Sequence, residues 1–152
     1  RLDANARYTI DAADTLLSGV RDLNVEWLEQ PVGRLRDFRA LRHHRVPLAA
    51  DESVLSEPLS EVCAYADVAV VKPMYVGGPR RAIDLADRFG DAGLKVCFTH
   101  ALESAVGRQG AWHVAAAWGV GVHGVGQQPD DAGTVALPGL EMPAVCRVGG
   151  TS

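Results

Sequence analysis

The sequence predicts an α/β fold built on a parallel sheet. Its strand-like stretches are nearly continuous apolar runs, as expected of strands covered on both faces. Amphipathic helical stretches alternate with them along the chain, the rhythm of successive βα units. No low-complexity linker breaks that rhythm before a C-terminal tail.

Taken in order, "RLDAN" at residues 1–5 reads as the end of a strand already in progress. "TIDAADTLLSGVRDLN" follows as a helix, with Ile10, Ala13, Leu16, Leu17, Val20 and Leu23 on one face and Thr9 as its N-cap. "VEWLEQP" is a strand that Pro31 ends, because proline extends neither strand nor helix. "RLRDFRALRHH", apolar at Leu35, Phe38 and Leu41, is a short helix. "VPLAADES" is a strand, "LSEVCAYA" a short helix and "DVAVVKP" another strand. "GPRRAIDLADRFGDAG" is a helix closed by Gly90 or Gly93. "LKVCFTH" is a strand, "ESAVGRQGAWHVAAAWG" an Ala-rich helix and "VGVHGVG" a last strand, before an irregular tail from Gln127 to Ser152. Six βα-type units fit an open doubly wound sheet or part of an eight-stranded barrel, which usually takes ~250 residues.

The bulk composition sets bounds on function. With 152 residues, 47% of them hydrophobic and 22% charged, the chain has material for a sizeable core. A net charge of -4 argues against a nucleic-acid partner or an anionic membrane surface. No apolar run approaches the roughly 20 residues of a membrane span, and the opening residues do not read as a signal peptide. Cys63, Cys97 and Cys146 are far apart and read as reduced thiols in a cytoplasm. The chain opens on Arg1 rather than Met, so it is expected to be a piece of a longer protein.

The chemistry gathers at the strand ends. Asp3, Glu29 and Asp51 close three successive strands, in "RLD", "EWLE" and "LAAD". In parallel βα folds the carboxyl edge of the sheet is where ligands bind. Neighbouring strands lie ~4.8 Å apart, so the three acids converge on a small volume. Like charges so close repel unless a cation sits between them, and an oxygen-only set suits Mg²⁺ or Mn²⁺ better than Zn²⁺. Each acid alone would equally serve as a helix cap. Lys72 closes the next strand at the same level, where a lysine needs a negative partner or a role in proton transfer.

Other signals carry less. "GVGVHG", Gly119 to Gly124, matches a dinucleotide fingerprint but follows a helix instead of opening one. Arg34, Arg36, Arg39, Arg42 and Arg45 lack interleaved aromatics and read as a solvated helix face, to which His43 and His44 also belong. His113 lies in the Ala-rich helix, and His123 reads as structural. His100 ends a strand at site level and is the histidine expected to touch substrate. No G-x-S-x-G is present, so nucleophilic hydrolysis has no support.

"RLDAN", "WLEQP", "ADES", "VVKP" and "THALESAVG", in this order, resemble the enolase superfamily, its muconate-lactonising subgroup and most closely the o-succinylbenzoate synthases of menaquinone biosynthesis. The resemblance implies part of a (β/α)8 barrel, strands three to eight with their helices. Residues 1–128 would be the barrel part and 129–152 the irregular tail. It implies Asp3, Glu29 and Asp51 as Mg²⁺ ligands, with Mn²⁺ an alternative, and Lys72 as the strand-six catalytic lysine. Arg1, Asn5, His100, Glu103 and Ser104 would face a small-molecule carboxylate substrate. The implied reaction is removal of an α-proton followed by loss of hydroxyl as water. The family's strand-two Lys-x-Lys is not in this sequence, so the chain by itself is expected to be inactive. Its open strand edges are expected to drive homo-oligomerisation. An N-acylamino-acid racemase, dipeptide epimerase or cycloisomerase of the same superfamily, or a non-catalytic relic, are the alternatives. "GVGQQPDDAG" lacks the D-x-D spacing of the epimerases.

Overall fold

The computed structural model describes residues 1–119 and 123–124. The predicted tail, most of "VGVHGVG" and Cys146 lie outside the described residues. Five strands alternate with helices and follow chain order across a sheet: β1 (Leu2–Asp3), β2 (Leu28–Glu29), β3 (Leu48–Ala50), β4 (Val68–Val71) and β5 (Lys95–Phe98). β1 to β4 are parallel, with Leu2 opposite Leu28, Glu29 opposite Ala49 and Ala50 opposite Ala69. The fold class is the expected one, α/β on a parallel sheet.

Contacts divide the chain into two compact units. The first holds Arg1–Val70 with Ala86–Val96, and the second Val71–Leu85 with the described residues from Cys97 onward. In the first unit, α1 (Ile10–Gly19) starts where expected, with the Thr9 hydroxyl accepting from the Ala12 N–H at 3.2 Å. It stops at Gly19, earlier than the apolar spacing suggested, and Leu23 beyond it is 65% exposed. The "RLRDFRALRHH" segment is a 3-10 helix, Leu35–His44. With three residues per turn, side chains three apart stack in one row. Leu35, Phe38 and Leu41 form such a row and are fully buried. His44 is the next residue in it.

α2 (Glu52–Ser56) was not foreseen, and α3 (Leu59–Tyr65) follows it. α4 (Pro79–Asp91) runs through Gly90 and is closed by Gly93. There the Leu94 N–H reaches the Phe89 carbonyl at 3.0 Å and the Gly93 N–H reaches Gly90 at 2.9 Å, a Schellman closure with Gly93 at φ +89°.

In the second unit, α5 (Ala105–Trp118) is capped by the Ser104 hydroxyl and ends at Gly119 in the left-handed conformation. Phe98 is fully buried, with Trp118 edge-on at 6.0 Å and His123 tilted at 5.4 Å. Thr99 bridges Gly124 in parallel, a described remnant of the expected last strand. His123 accepts the Phe98 N–H at 3.1 Å, a structural use. No helix among the described residues is long and apolar enough to cross a membrane.

Candidate metal centre

Asp3 and Glu29 are direct register partners at the carboxyl ends of β1 and β2. Asp51 follows β3, two residues past Ala49, which is the register partner of Glu29. Residues two apart share a face of a pleated sheet, so the backbone brings all three acids to one face at one edge. Asp51 is buried, Glu29 half-buried and Asp3 exposed. An Oδ1 of Asp3 accepts the Asn5 N–H at 2.8 Å. The donor set is carboxylate oxygen throughout, which fits a hard dication.

Gln30 is no candidate site residue by sequence pattern, yet it organises this edge. Its side chain is 1% exposed. Its Oε1 accepts from the Asp51 N–H at 3.1 Å and the Ser53 N–H at 3.2 Å, while Nε2 donates to the Val32 carbonyl at 3.1 Å and the Ser53 hydroxyl at 2.9 Å. All four hydrogen-bonding positions of the amide are used. Gln30 sits at φ +32°, and Asn5 and Ala6 after β1 at φ 46° and 58°. Non-glycine residues rarely hold that conformation, and it gathers at functional sites where the surroundings fix it. The only signal in the sequence was a polar residue between Glu29 and the strand-ending Pro31.

The remaining expected site residues are placed as follows. Arg1 donates to the Glu26 carboxylate at 2.8 Å and lies 3.8 Å over the Trp27 ring. Glu26 is thereby held below the ordinary carboxylate value, mainly by that hydrogen bond. In the second unit, Lys72 is half-buried directly after β4, its ammonium 6.0 Å from the Tyr75 ring centroid. His100 holds the Ala101 carbonyl through Nδ1 at 2.6 Å. Glu103 is 8% exposed; its Oε1 accepts the Ala101 N–H at 3.0 Å, while Oε2 is buried without a hydrogen-bond partner among the described residues. A Cβ at Gly107 would stand 3.0 Å from the Glu103 Cβ, so a glycine there leaves the room Glu103 occupies. Ser104 serves as the α5 cap.

Two findings run against expectation. His43 and His44 do not share a solvated face. The His44 side chain is 9% exposed, and both imidazoles meet Asp14 of α1. Among the described residues, Asp14, His43 and His44 form the group whose ligating atoms all lie within 4.8 Å of one another. The strand-end carboxylates occupy neighbouring backbone positions without forming such a group. A cavity of about 430 Å³ in the first unit lies at the amino ends of the strands, against Pro47, Val68 and Lys95. Arg42 and Asp67, joined as an ion pair, sit on its wall, so it is not the carboxylate site.

Residues 1–131 match the model of the enolase C-terminal domain-like family. The o-succinylbenzoate synthase of Mycolicibacterium smegmatis is 37% identical over 112 residues, covering 70% of this chain and 34% of that protein. The N-succinyl-L-Arg/Lys racemase of Bacillus cereus is 32% identical over 124 residues, covering 76% of this chain and 33% of that protein. The dipeptide epimerase of Enterococcus faecalis superposes with a TM-score of 0.68 at 28% identity, over 77% of this chain and 35% of that one. The matched stretch thus spans about a third of the length of the curated relatives.

Proposed function

We propose, from the premise that this chain belongs to the enolase C-terminal domain-like family, that it is the barrel part of an o-succinylbenzoate synthase, with a boundary near residue 128 and a cytoplasmic location. The observation that carries the reading is the register of Asp3 with Glu29, with Asp51 ending the next strand, in a chain 37% identical to such a synthase. Asp3, Glu29 and Asp51 would hold Mg²⁺, or Mn²⁺ in its place. That ion, when bound, supplies positive charge to a substrate carboxylate and so acidifies the neighbouring C–H. Gln30 fixes the backbone of Asp51 and thereby the spacing of the ligands. Lys72 contributes an ammonium to charge that develops as the α-proton leaves, and Arg1, Asn5, His100, Glu103 and Ser104 form the substrate side. The ring hydroxyl then departs with a proton as water, leaving an aromatic product.

The test is a chimera in which this chain replaces the corresponding segment of the Mycolicibacterium smegmatis synthase. It is expected to convert the cyclohexadiene carboxylate to o-succinylbenzoate only with Mg²⁺ or Mn²⁺ present. Lys72→Ala in that chimera should lower kcat ~10²–10³-fold, the loss typical of one group aimed at transition-state charge. A folded chimera inert towards the diene, or one indifferent to Lys72→Ala, refutes the assignment.

A second reading, racemisation of N-succinylamino acids, rests on the 32% identity to the Bacillus cereus racemase over 76% of this chain. Both reactions begin with removal of an α-proton, so one site can host either. Racemisation without dehydration in the chimera would decide for it.

A further inference from the structure

The 3-10 helix ends in two histidines that converge on one oxygen. Asp14 Oδ1 lies 2.8 Å from His44 Nε2 and 3.0 Å from His43 Nε2. The two rings stand 4.0 Å apart, tilted by 39°. His43 Nδ1 is 3.0 Å from the Ala40 carbonyl oxygen.

A carbonyl only accepts, so the proton of a neutral His43 belongs on Nδ1. Its Nε2 then offers a lone pair, and the atom it faces is a carboxylate oxygen, also an acceptor. Two acceptors at 3.0 Å require something positive between them, either a second proton or a metal ion. A second proton makes an imidazolium 4.0 Å from another imidazole that turns on the same carboxylate. A metal ion resolves the conflict at His43 and takes up the Nε2 that His44 turns to the same oxygen. The Ala40 carbonyl already plays the part that a backbone acceptor plays behind metal-bound imidazoles, fixing the tautomer and aiming the other nitrogen.

We propose that Asp14, His43 and His44 form a transition-metal site of the Zn²⁺ class, tying α1 to the 3-10 helix and separate from the strand-end carboxylates. Two imidazole nitrogens and a carboxylate oxygen suit Zn²⁺ and its soft neighbours and do not suit Mg²⁺. Tetrahedral Zn²⁺ with ligands at ~2.0–2.2 Å holds its donors about 3.3 Å apart, so the trio opens by a few tenths of an ångström. The His43 side chain is 62% exposed and Asp14 42% exposed, so water has access to the fourth position. The period-three row explains why His44 faces inward, since it continues Leu35, Phe38 and Leu41.

The experiment is a calorimetric titration of the metal-free chain with Zn²⁺, in excess Mg²⁺ to occupy oxygen-only ligand sets. One Zn²⁺ per chain is expected. His43→Gln and Asp14→Asn should each weaken it by at least about tenfold, as loss of even an outer partner does. His43 is largely exposed, so His43→Gln should leave the circular dichroism spectrum unchanged. Zn²⁺ should raise the Tm of the parent chain and not that of His43→Gln. Co²⁺ should perturb the ring resonances of His43 and His44. Absence of binding at millimolar Zn²⁺, binding that Mg²⁺ displaces, binding indifferent to both substitutions, or a Co²⁺–thiolate band pointing to the cysteines each overturns the proposal.

Discussion

Removing the Gln30 amide strands two backbone donors at once, the N–H groups of Asp51 and Ser53. A buried donor left without a partner costs ~1–3 kcal/mol. Gln30→Leu should therefore lower the unfolding free energy by about 2–4 kcal/mol in urea melts. It should loosen Mg²⁺ binding as well, because Asp51 loses its tether. Glu26 offers a smaller, pH-dependent test. Its carboxyl is depressed by Arg1, so the pair's contribution is present above the ordinary carboxylate value and lost as pH falls through the lowered one. The pair is half-exposed, and such pairs are worth ~0.2–1 kcal/mol. Thermal melts of Glu26→Gln and the parent chain should differ slightly at pH 7 and converge once the pH has fallen through the lowered value. Residues of this kind were unevenly legible. Asp3, Glu29 and Asp51 stood out because charge at the end of an apolar run is costly without a reason. Gln30 carries no charge and works through main-chain atoms that follow another strand, which no local pattern announces.

Among the elements, the helix that runs into Gly93 was readable to within one glycine. Both Gly90 and Gly93 were able to close it, and the hydrogen bonds of the closure select Gly93. Nothing lies within 4 Å of a Cβ placed there, so the penalty for a side chain is backbone strain alone. Gly93→Ala should cost ~1–2 kcal/mol, against little for Gly33→Ala, whose φ is not left-handed. Melting curves of the two variants decide it. The 3-10 helix was readable as a helix but not as this kind. Leu35, Phe38 and Leu41 satisfy a period of three and, over so short a span, also pass as one face of an α-helix. The distinction matters at the fourth position: on the tighter helix His44 turns inward, and on the looser one it drifts toward solvent. That single ambiguity places His44 on the solvated face, where only His43 belongs.

For the whole chain, the order of elements was legible because strands and helices differ in period and length, and because five motifs recur in family order. Side-chain placement around Lys72, Glu103 and His100 was not, since it depends on the turns after strands. β1 stands at one end of the strand order. Its outer hydrogen-bonding groups have no strand beside them among the described residues, and unpaired edges recruit other chains. The 152-residue chain, prepared alone, should therefore elute in light-scattering chromatography as dimers or larger species. A monodisperse monomer would show that the edge is satisfied within the chain.

The Gln30–Pro31 junction also bears on how the molecule ages. Side-chain amides hydrolyse most readily when the next backbone nitrogen attacks them, and proline's nitrogen carries no hydrogen with which to complete that cyclisation. Pro31 thus shields Gln30 from deamidation as well as ending the strand. The protection is needed: a glutamate at this position would present an acceptor oxygen to the Val32 carbonyl at 3.1 Å, where the amide now donates. It would also leave the Ser53 hydroxyl without its amide donor. Mass spectrometry of long-stored protein should find position 30 unconverted while exposed amides such as Asn24 have turned over.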